Sequence, residues 1–296
     1  MNLTTSSLLT PEIIRQLENL ELISKKMLRG RFKGDRLTKR KGQSVEFADF
    51  KNYVIGDDLR FLDWNLFARL DRLFLRIFLE EEDLQVTFLL DASASMDTGE
   101  PSKLTYASQV IAALGYIGLS QLNRVRLAYF QNNRLELSRV LRGKKDFPWL
   151  LQTLTSIVPS SNGNLYLAAR DLSIQSRPRG IVVFCSDFLD KTGYENSLRL
   201  LLGQQCDLYL FHILAEEEIN PKLTGDLILV DCEDDDKAEM TVNNLSLLRY
   251  KQTVTAFQNQ LSDFCKRRGI HYLFTSNQIS FQEIVLKYFR QQGLVH

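Results

Sequence analysis

Cysteine and histidine are scarce in this chain, and neither is clustered. The four cysteines, Cys185, Cys206, Cys232 and Cys265, lie far apart and form no C-x-x-C pair. That argues against a zinc ribbon or a dithiol redox motif and leaves reduced, mostly buried thiols. The three histidines, His212, His271 and His296, stand alone. The first two fall in strand-like runs, which suits core or rim positions better than metal ligation. No G-x-G-x-x-G follows the first strand of the regular region, and no G-x-x-x-x-G-K-[ST] occurs anywhere, so neither common phosphate-cradling loop is encoded. Long apolar runs are missing too: the longest, Val110 to Leu119, is about half of what a membrane helix requires. The opening "MNLTTSSLLTPEIIRQ" has no basic region followed by an apolar stretch, so no secretory signal is read there. These absences together predict a soluble, cytoplasmic protein.

What the chain does have is enough apolar material for a core. Its 296 residues are 44% hydrophobic and 25% charged, ordinary for a globular protein with one large core or two smaller ones. The net charge of +1 conceals a basic run from Lys25 to Gly42 and an acidic run from Asp231 to Glu239. The basic run has two readings, a site for phosphates or an acidic partner, and a solvated surface segment. Aromatic residues do not alternate with its charges, so nucleic acid is not an expected partner.

The chain divides in character near residue 83. Thr10 and Pro11 suit the start of a helix, and helical apolar spacing predicts that it continues to about Met27. Arg29 to Arg72 is rich in glycine, charge and aromatics without clean periodicity; it is too long for a free connection and reads as an irregular segment packed on the main domain. From Leu73 strands alternate with helices, the pattern of a mostly parallel sheet covered on both faces. Strands are read at "LFLRIFL", "LQVTFLL", "RVRLAYF", "RLELSRV", "GIVVFCS", "CDLYLFHIL" and "GIHYLFT". The "QNN" turn is too short for a parallel crossover and makes its two strands an antiparallel hairpin. Residues after "CDLYLFHIL" read as an insert that adds a hairpin at one sheet edge, and Ser280 with Glu283 has capping-box spacing. The expected domains are 1–83, a helix and irregular segment, and 84–296, a three-layer α/β domain with one antiparallel edge strand.

Two strands end in polar clusters: "LQVTFLL" in Asp91, Ser93 and Ser95, and "GIVVFCS" in Ser186 and Asp187. Ligands of open parallel sheets sit beyond the carboxyl ends of the strands, so neighbouring strands would make these clusters converge. Two hydroxyls and two carboxylates could supply the protein share of a hard divalent cation's roughly six oxygens. The other reading of "DASASMD" is a helix-entry turn in which Asp and Ser cap backbone N–H groups. For "GDDLRFLDWN", Asp57, Asp58 and Asp63 with Arg60 are read as a polar network over buried Phe61 and Trp64, since no histidine, cysteine or activated serine lies nearby to complete a reaction.

"DASAS" with the later Asp187 resembles the metal-ion-dependent adhesion site of von Willebrand factor A domains. "VEFADFKNYVIGDDLRFLDWNLFARLDRLFLRIFLEEED" is similar to the signature of the bacterial domain-of-unknown-function family 58, in which such a segment precedes an A domain. The resemblance implies a von Willebrand factor A or Rossmann-like sheet, with Asp91, Ser93, Ser95 and Asp187 around magnesium or manganese. The family's remaining ligand is a threonine, and here that turn reads "SSNGNLYLAA". Asn164 is the candidate replacement through its amide oxygen, with Ser160 or Ser161 as neighbours that could approach. It further implies a non-enzymatic adaptor working with a MoxR-type AAA+ ATPase on a client complex. The alternative is a magnesium-dependent phosphoryl hydrolase with Asp91 as nucleophile, although Ser93 stands where haloacid-dehalogenase-type phosphatases carry a second carboxylate.

Overall fold

A computed structural model describes residues 8–24, 46–79, 84–160, 163–204, 206–223, 225–230, 237–291 and 293–295. The basic run 25–42 and the centre of the acidic run, 231–236, lie outside the described residues, as do Ser161, Cys232 and His296. The chain forms two compact units, residues 1–26 with 84–296, and residues 27–83.

In the smaller unit, β1 (Glu46–Asn52) pairs antiparallel with β2 (Phe74–Leu79). Between them lies helix α2 (Trp64–Leu70), numbered after α1 (Pro11–Leu17). "LFLRIFL" is thus a strand, but its partner is a segment with no strand periodicity, so the pair forms a sheet of its own. The carboxylates of "GDDLRFLDWN" serve local structure. Asp63 caps α2 by accepting from the Asn65 and Leu66 N–H groups at 2.9 and 3.0 Å. Asp58 accepts from the Arg60 backbone and guanidinium, and Asp57 from the Val54 N–H at 3.0 Å. Trp64 is not buried beneath this network; it is 64% exposed.

The larger unit is built on β3 (Gln85–Asp91), β4 (Arg124–Gln131), β5 (Arg134–Leu137), β6 (Leu141–Arg142), β7 (Gly180–Ser186), β8 (Cys206–Leu214) and β11 (His271–Ser276), in spatial order β11-β8-β7-β3-β4-β5 with β6 on β4. All neighbours are parallel except β5 and β6, which run antiparallel to β4 at the edge. β7 and β8 are buried along their whole length, because helices cover both faces and continuous apolar runs such as "GIVVFC" have no solvent side. Counted within the sheet the order is the doubly wound one, so the connections part between β3 and β7. This is a von Willebrand factor A-like α/β fold.

Helix α3 (Lys103–Ser120) is the most enclosed, with nearly every residue buried. Gly115 lets it approach α4 (Phe147–Ser156), since a Cβ there would lie 2.5 Å from the Leu150 Cδ2. Helices α5 (Leu165–Gln175) and α6 (Glu195–Leu202), the short α7 (Glu216–Ile219) and the long α8 (Asn244–Arg268) complete the layers, followed by a C-terminal helical segment. The insert forms hairpin β9 (Gly225–Val230) and β10 (Lys237–Val242), a separate two-stranded sheet instead of an extension of the large one. Ser280 makes no side-chain cap bond, so the capping-box spacing is not used.

The first helix is shorter than its periodicity predicts and ends at Leu17. The chain then runs extended because tertiary partners offer more than further helix would. Leu22 bridges Val295, the Ile23 N–H donates to the Leu294 carbonyl at 3.0 Å, and the Ser24 hydroxyl donates to Asp207 at 2.6 Å. Leu8, Leu9, Ile13, Leu17 and Leu22 are all buried. These contacts group the N-terminal helix with the sheet unit and not with the segment that follows it in sequence.

A carboxylate and hydroxyl cleft at the switch point

Residues Leu90 and Cys185 are register partners in adjacent parallel strands, so the groups that follow them must meet. The Ser186 hydroxyl donates to Asp91 Oδ2 at 2.7 Å, and the Ser93 N–H donates to Asp91 Oδ1 at 2.9 Å. The Ser93 and Ser95 hydroxyls are 3.0 Å apart. Asp91, Ser93, Ser95, Gly163, Leu165, Asp187, Leu189 and Asp190 line a narrow cleft of about 10 Å³, room for roughly one water-sized sphere. Four of the five residues predicted for the site are therefore brought together.

Asn164, the fifth, is not among the lining residues. Its amide oxygen accepts from the Leu167 N–H at 2.9 Å as the N-cap of α5. Gly163 takes its place in the cleft, where a Cβ would lie 2.8 Å from Ser93 Cβ. The turn presses its backbone on Ser93 and leaves no space for a ligating side chain. Ser160 is close, bridging Ser93, but its hydroxyl accepts from the Asn132 N–H at 2.9 Å.

Three features of the site were not read from the sequence. Asp190 lines the cleft, with one oxygen accepting from the Leu165 N–H at 2.7 Å and the other from Thr192. Phe188 adopts the left-handed region, φ 57°, which costs a non-glycine residue about 1–2 kcal/mol. Edge-on packing with Phe184 and His212 holds it there. The resulting turn lets Asp187 Oδ1 accept from the Leu189 N–H at 3.1 Å. The third is Lys103, fully buried, whose ammonium donates to Asp187 Oδ2 at 2.7 Å and to Glu218 Oε1 at 2.6 Å. "EPSK" reads as a turn and a helix start, and nothing local distinguishes this lysine from a surface one.

Electrostatics divide the two aspartates. Burial pushes Asp91 up to about 6, reinforced by the charge of Asp187 and resisted by the Ser186 and Ser93 hydrogen bonds. Burial acts on Asp187 in the same sense, but the Lys103 ammonium overrides it and holds the carboxyl below its ordinary range. Burial would deprotonate Lys103; the charges of Asp187 and Glu218 outweigh it and raise its pKa. Beneath the site His212 bonds Tyr272 through Nδ1 at 2.8 Å, and burial lowers it to about 3. It is a neutral core group, and Cys185, Cys206 and Cys265 are buried thiols.

Among the described residues no three Asp, Glu, His or Cys side chains gather as a metal-binding group, so hydroxyls would have to join any shell built here. A larger concavity of about 550 Å³ lies beyond the other end of α3, lined by Leu122, Arg139, Arg142, Gly143, Lys144, Lys145 and Asp146. Its one carboxylate is committed to Arg139 at 3.1 Å and the Arg142 N–H at 2.9 Å. Convergent carboxylate and hydroxyl oxygens, and not size, select the Asp91 cleft. No helix among the described residues is long and apolar enough to cross a membrane.

The uncharacterized proteins Rv1480 of Mycobacterium tuberculosis and Mb1516 of Mycobacterium bovis are each 26% identical over 228 residues, 75% of this chain and 72% of theirs. Among solved structures, the conserved hypothetical protein BatB of Bacteroides thetaiotaomicron shares 15% identity at a TM-score of 0.43, covering 71% of this chain and 98% of its own. The SpRpn10 VWA domain shares 11% at 0.40, covering 69% and 94%. The fold assignment rests on the strand order described above and not on these likenesses. The model of the protein family of unknown function DUF58 matches residues 49–261, most of the chain, and the protein belongs to that family.

Proposed function

We propose that this protein is a non-enzymatic interaction module, a cytoplasmic adaptor that presents the cleft between β3 and β7 to a partner. The observation that carries the reading is the convergence of Asp91, Ser93, Ser95 and Asp187 in a cleft too small for an organic substrate. Asp91 is a poor candidate for a nucleophile, because both of its oxygens already accept hydrogen bonds and it is buried.

The donor set is all oxygen, which suits hard cations, and Asp91 is a carboxylate whose pKa is raised by burial and, secondarily, by the charge of Asp187. Asp91, Ser93, Ser95 and Asp187 would hold magnesium or manganese, which would supply a Lewis-acid position for a partner's carboxylate. Within this reading the partner is a MoxR-type AAA+ ATPase and the task is assembly or maturation of a client complex; family membership is the support for that partner.

The test is co-purification of the full chain with the MoxR-type ATPase of the same organism, in magnesium and in chelator. Co-elution in magnesium that is lost in chelator and in Ser93→Ala is expected. No co-elution under either condition would sink the proposal.

A further inference from the structure

Lysine is almost never fully buried unless paired, and the placement of Lys103 is unfavourable on two counts. It is 0% exposed, and it is the first residue of the 18-residue α3. Burial penalises its charge, and the positive end of the helix dipole repels it. Among the described residues, Asp187 and Glu218, at 2.7 and 2.6 Å, offset these costs. Glu218 is itself fixed, since its other oxygen accepts from the Ala215 N–H at 2.7 Å and its carbonyl accepts from the Tyr250 hydroxyl at 2.7 Å. The ammonium is therefore clamped between a cleft residue and a short helix that follows β8. Of the three carboxylates nearby, the ammonium touches Asp187 and Glu218 and not Asp91. Asp91 has only hydroxyl and amide donors.

We propose that Lys103 is the resident cation of the cleft: it holds Asp187 in the free protein, so that a divalent ion must compete with an ammonium already in place. The inference rests on the cation reading above. The physical reason is direct. A divalent ion drawn to Asp187 meets an immobile positive charge one hydrogen bond away, in surroundings that screen poorly. Lys103 thus sets how weakly the cleft takes a free ion, while Glu218 tempers the lysine by drawing part of its charge away from Asp187. Removing the lysine and removing the glutamate must then act in opposite directions, which a purely structural ion pair would not do.

The experiment is a manganese titration of the full chain, read by calorimetry and by the free-ion electron paramagnetic resonance signal, on wild type, Lys103→Met and Glu218→Gln. Circular dichroism checks each fold. Lys103→Met is expected to bind manganese at least tenfold more tightly than wild type, and Glu218→Gln more weakly. If Lys103→Met does not fold, the Glu218→Gln comparison decides alone, because glutamine keeps the Ala215 contact through its one carbonyl oxygen and removes both the charge and the acceptor that face Lys103. Equal affinity in every folded variant would overturn the role of Lys103 and leave the cation site standing. Absence of binding in wild type and every folded variant would overturn the cation reading itself, and this inference with it.

Discussion

At the two ends of α3 the protein uses one chemical pairing in opposite surroundings. Near the C-terminal end, Lys144 donates to Glu18 at 2.9 Å and lies over the Tyr116 ring, and both charged side chains are about half exposed. At the N-terminal end Lys103, itself fully buried, meets a buried Asp187 and a mostly buried Glu218 over similar distances. Bond length hardly separates them; burial does. Water screens the first pair and can replace either partner, whereas removing one member of the second leaves a buried charge short of a counter-ion. The buried group also sits where a ligand would have to engage it.

Breaking the buried pair should therefore have the largest effect. Lys103→Ala is expected to cost about 3–5 kcal/mol in urea unfolding, since Asp187 would be left buried and unpaired; a loss no larger than that of a surface lysine would refute the contrast. The second effect concerns pH. Asp91 is raised from its unfolded value to about 6. Its contribution to stability is complete below about pH 4 and disappears as pH rises through 6, a decline on the order of 2–3 kcal/mol. Asp91→Asn should flatten that part of the curve in urea melts taken from acid to neutral pH. If the wild-type and variant profiles stay parallel, Asp91 does not titrate as its burial requires.

A smaller effect is expected at Gly163, where alanine would crowd Ser93 and Phe130. A loss of about 1–3 kcal/mol is typical of such overpacking, and a melting profile identical to wild type would show that the turn can move away. At the exposed end, Lys144→Ala should leave the urea midpoint within error of wild type, its one ion pair and ring contact being open to solvent. A clear shift there would show that the two ends are more alike than their burial suggests.

The residues that could be read from sequence share a property: their roles follow from the period of their own segment. Asp91, Ser93, Ser95 and Asp187 end apolar runs of strand length, and an open parallel sheet sends such ends to one side. The antiparallel β4–β5 hairpin followed from a turn too short for anything else. Two of the misreadings have distant causes and one a local cause. Helix α1 stops where Leu294 and Val295 compete for its backbone, and β1 exists because β2 pairs with it. Asn164 looked like a ligand by alignment with a threonine, but an asparagine before a helix also caps well, and the local hydrogen bond won.

Composition and periodicity alone determined that this chain makes a helix-covered, mostly parallel sheet and that two strand ends would carry clustered carboxylates and hydroxyls, because those features repeat along the chain within a few residues of their cause. Which charges face one another was decided only by the tertiary structure. Lys103 is 84 residues from Asp187 and 115 from Glu218 in sequence. Burial, which converts a weak surface attraction into a strong and exclusive one, belongs to the packed sheet and its helices and has no signature in the neighbouring letters.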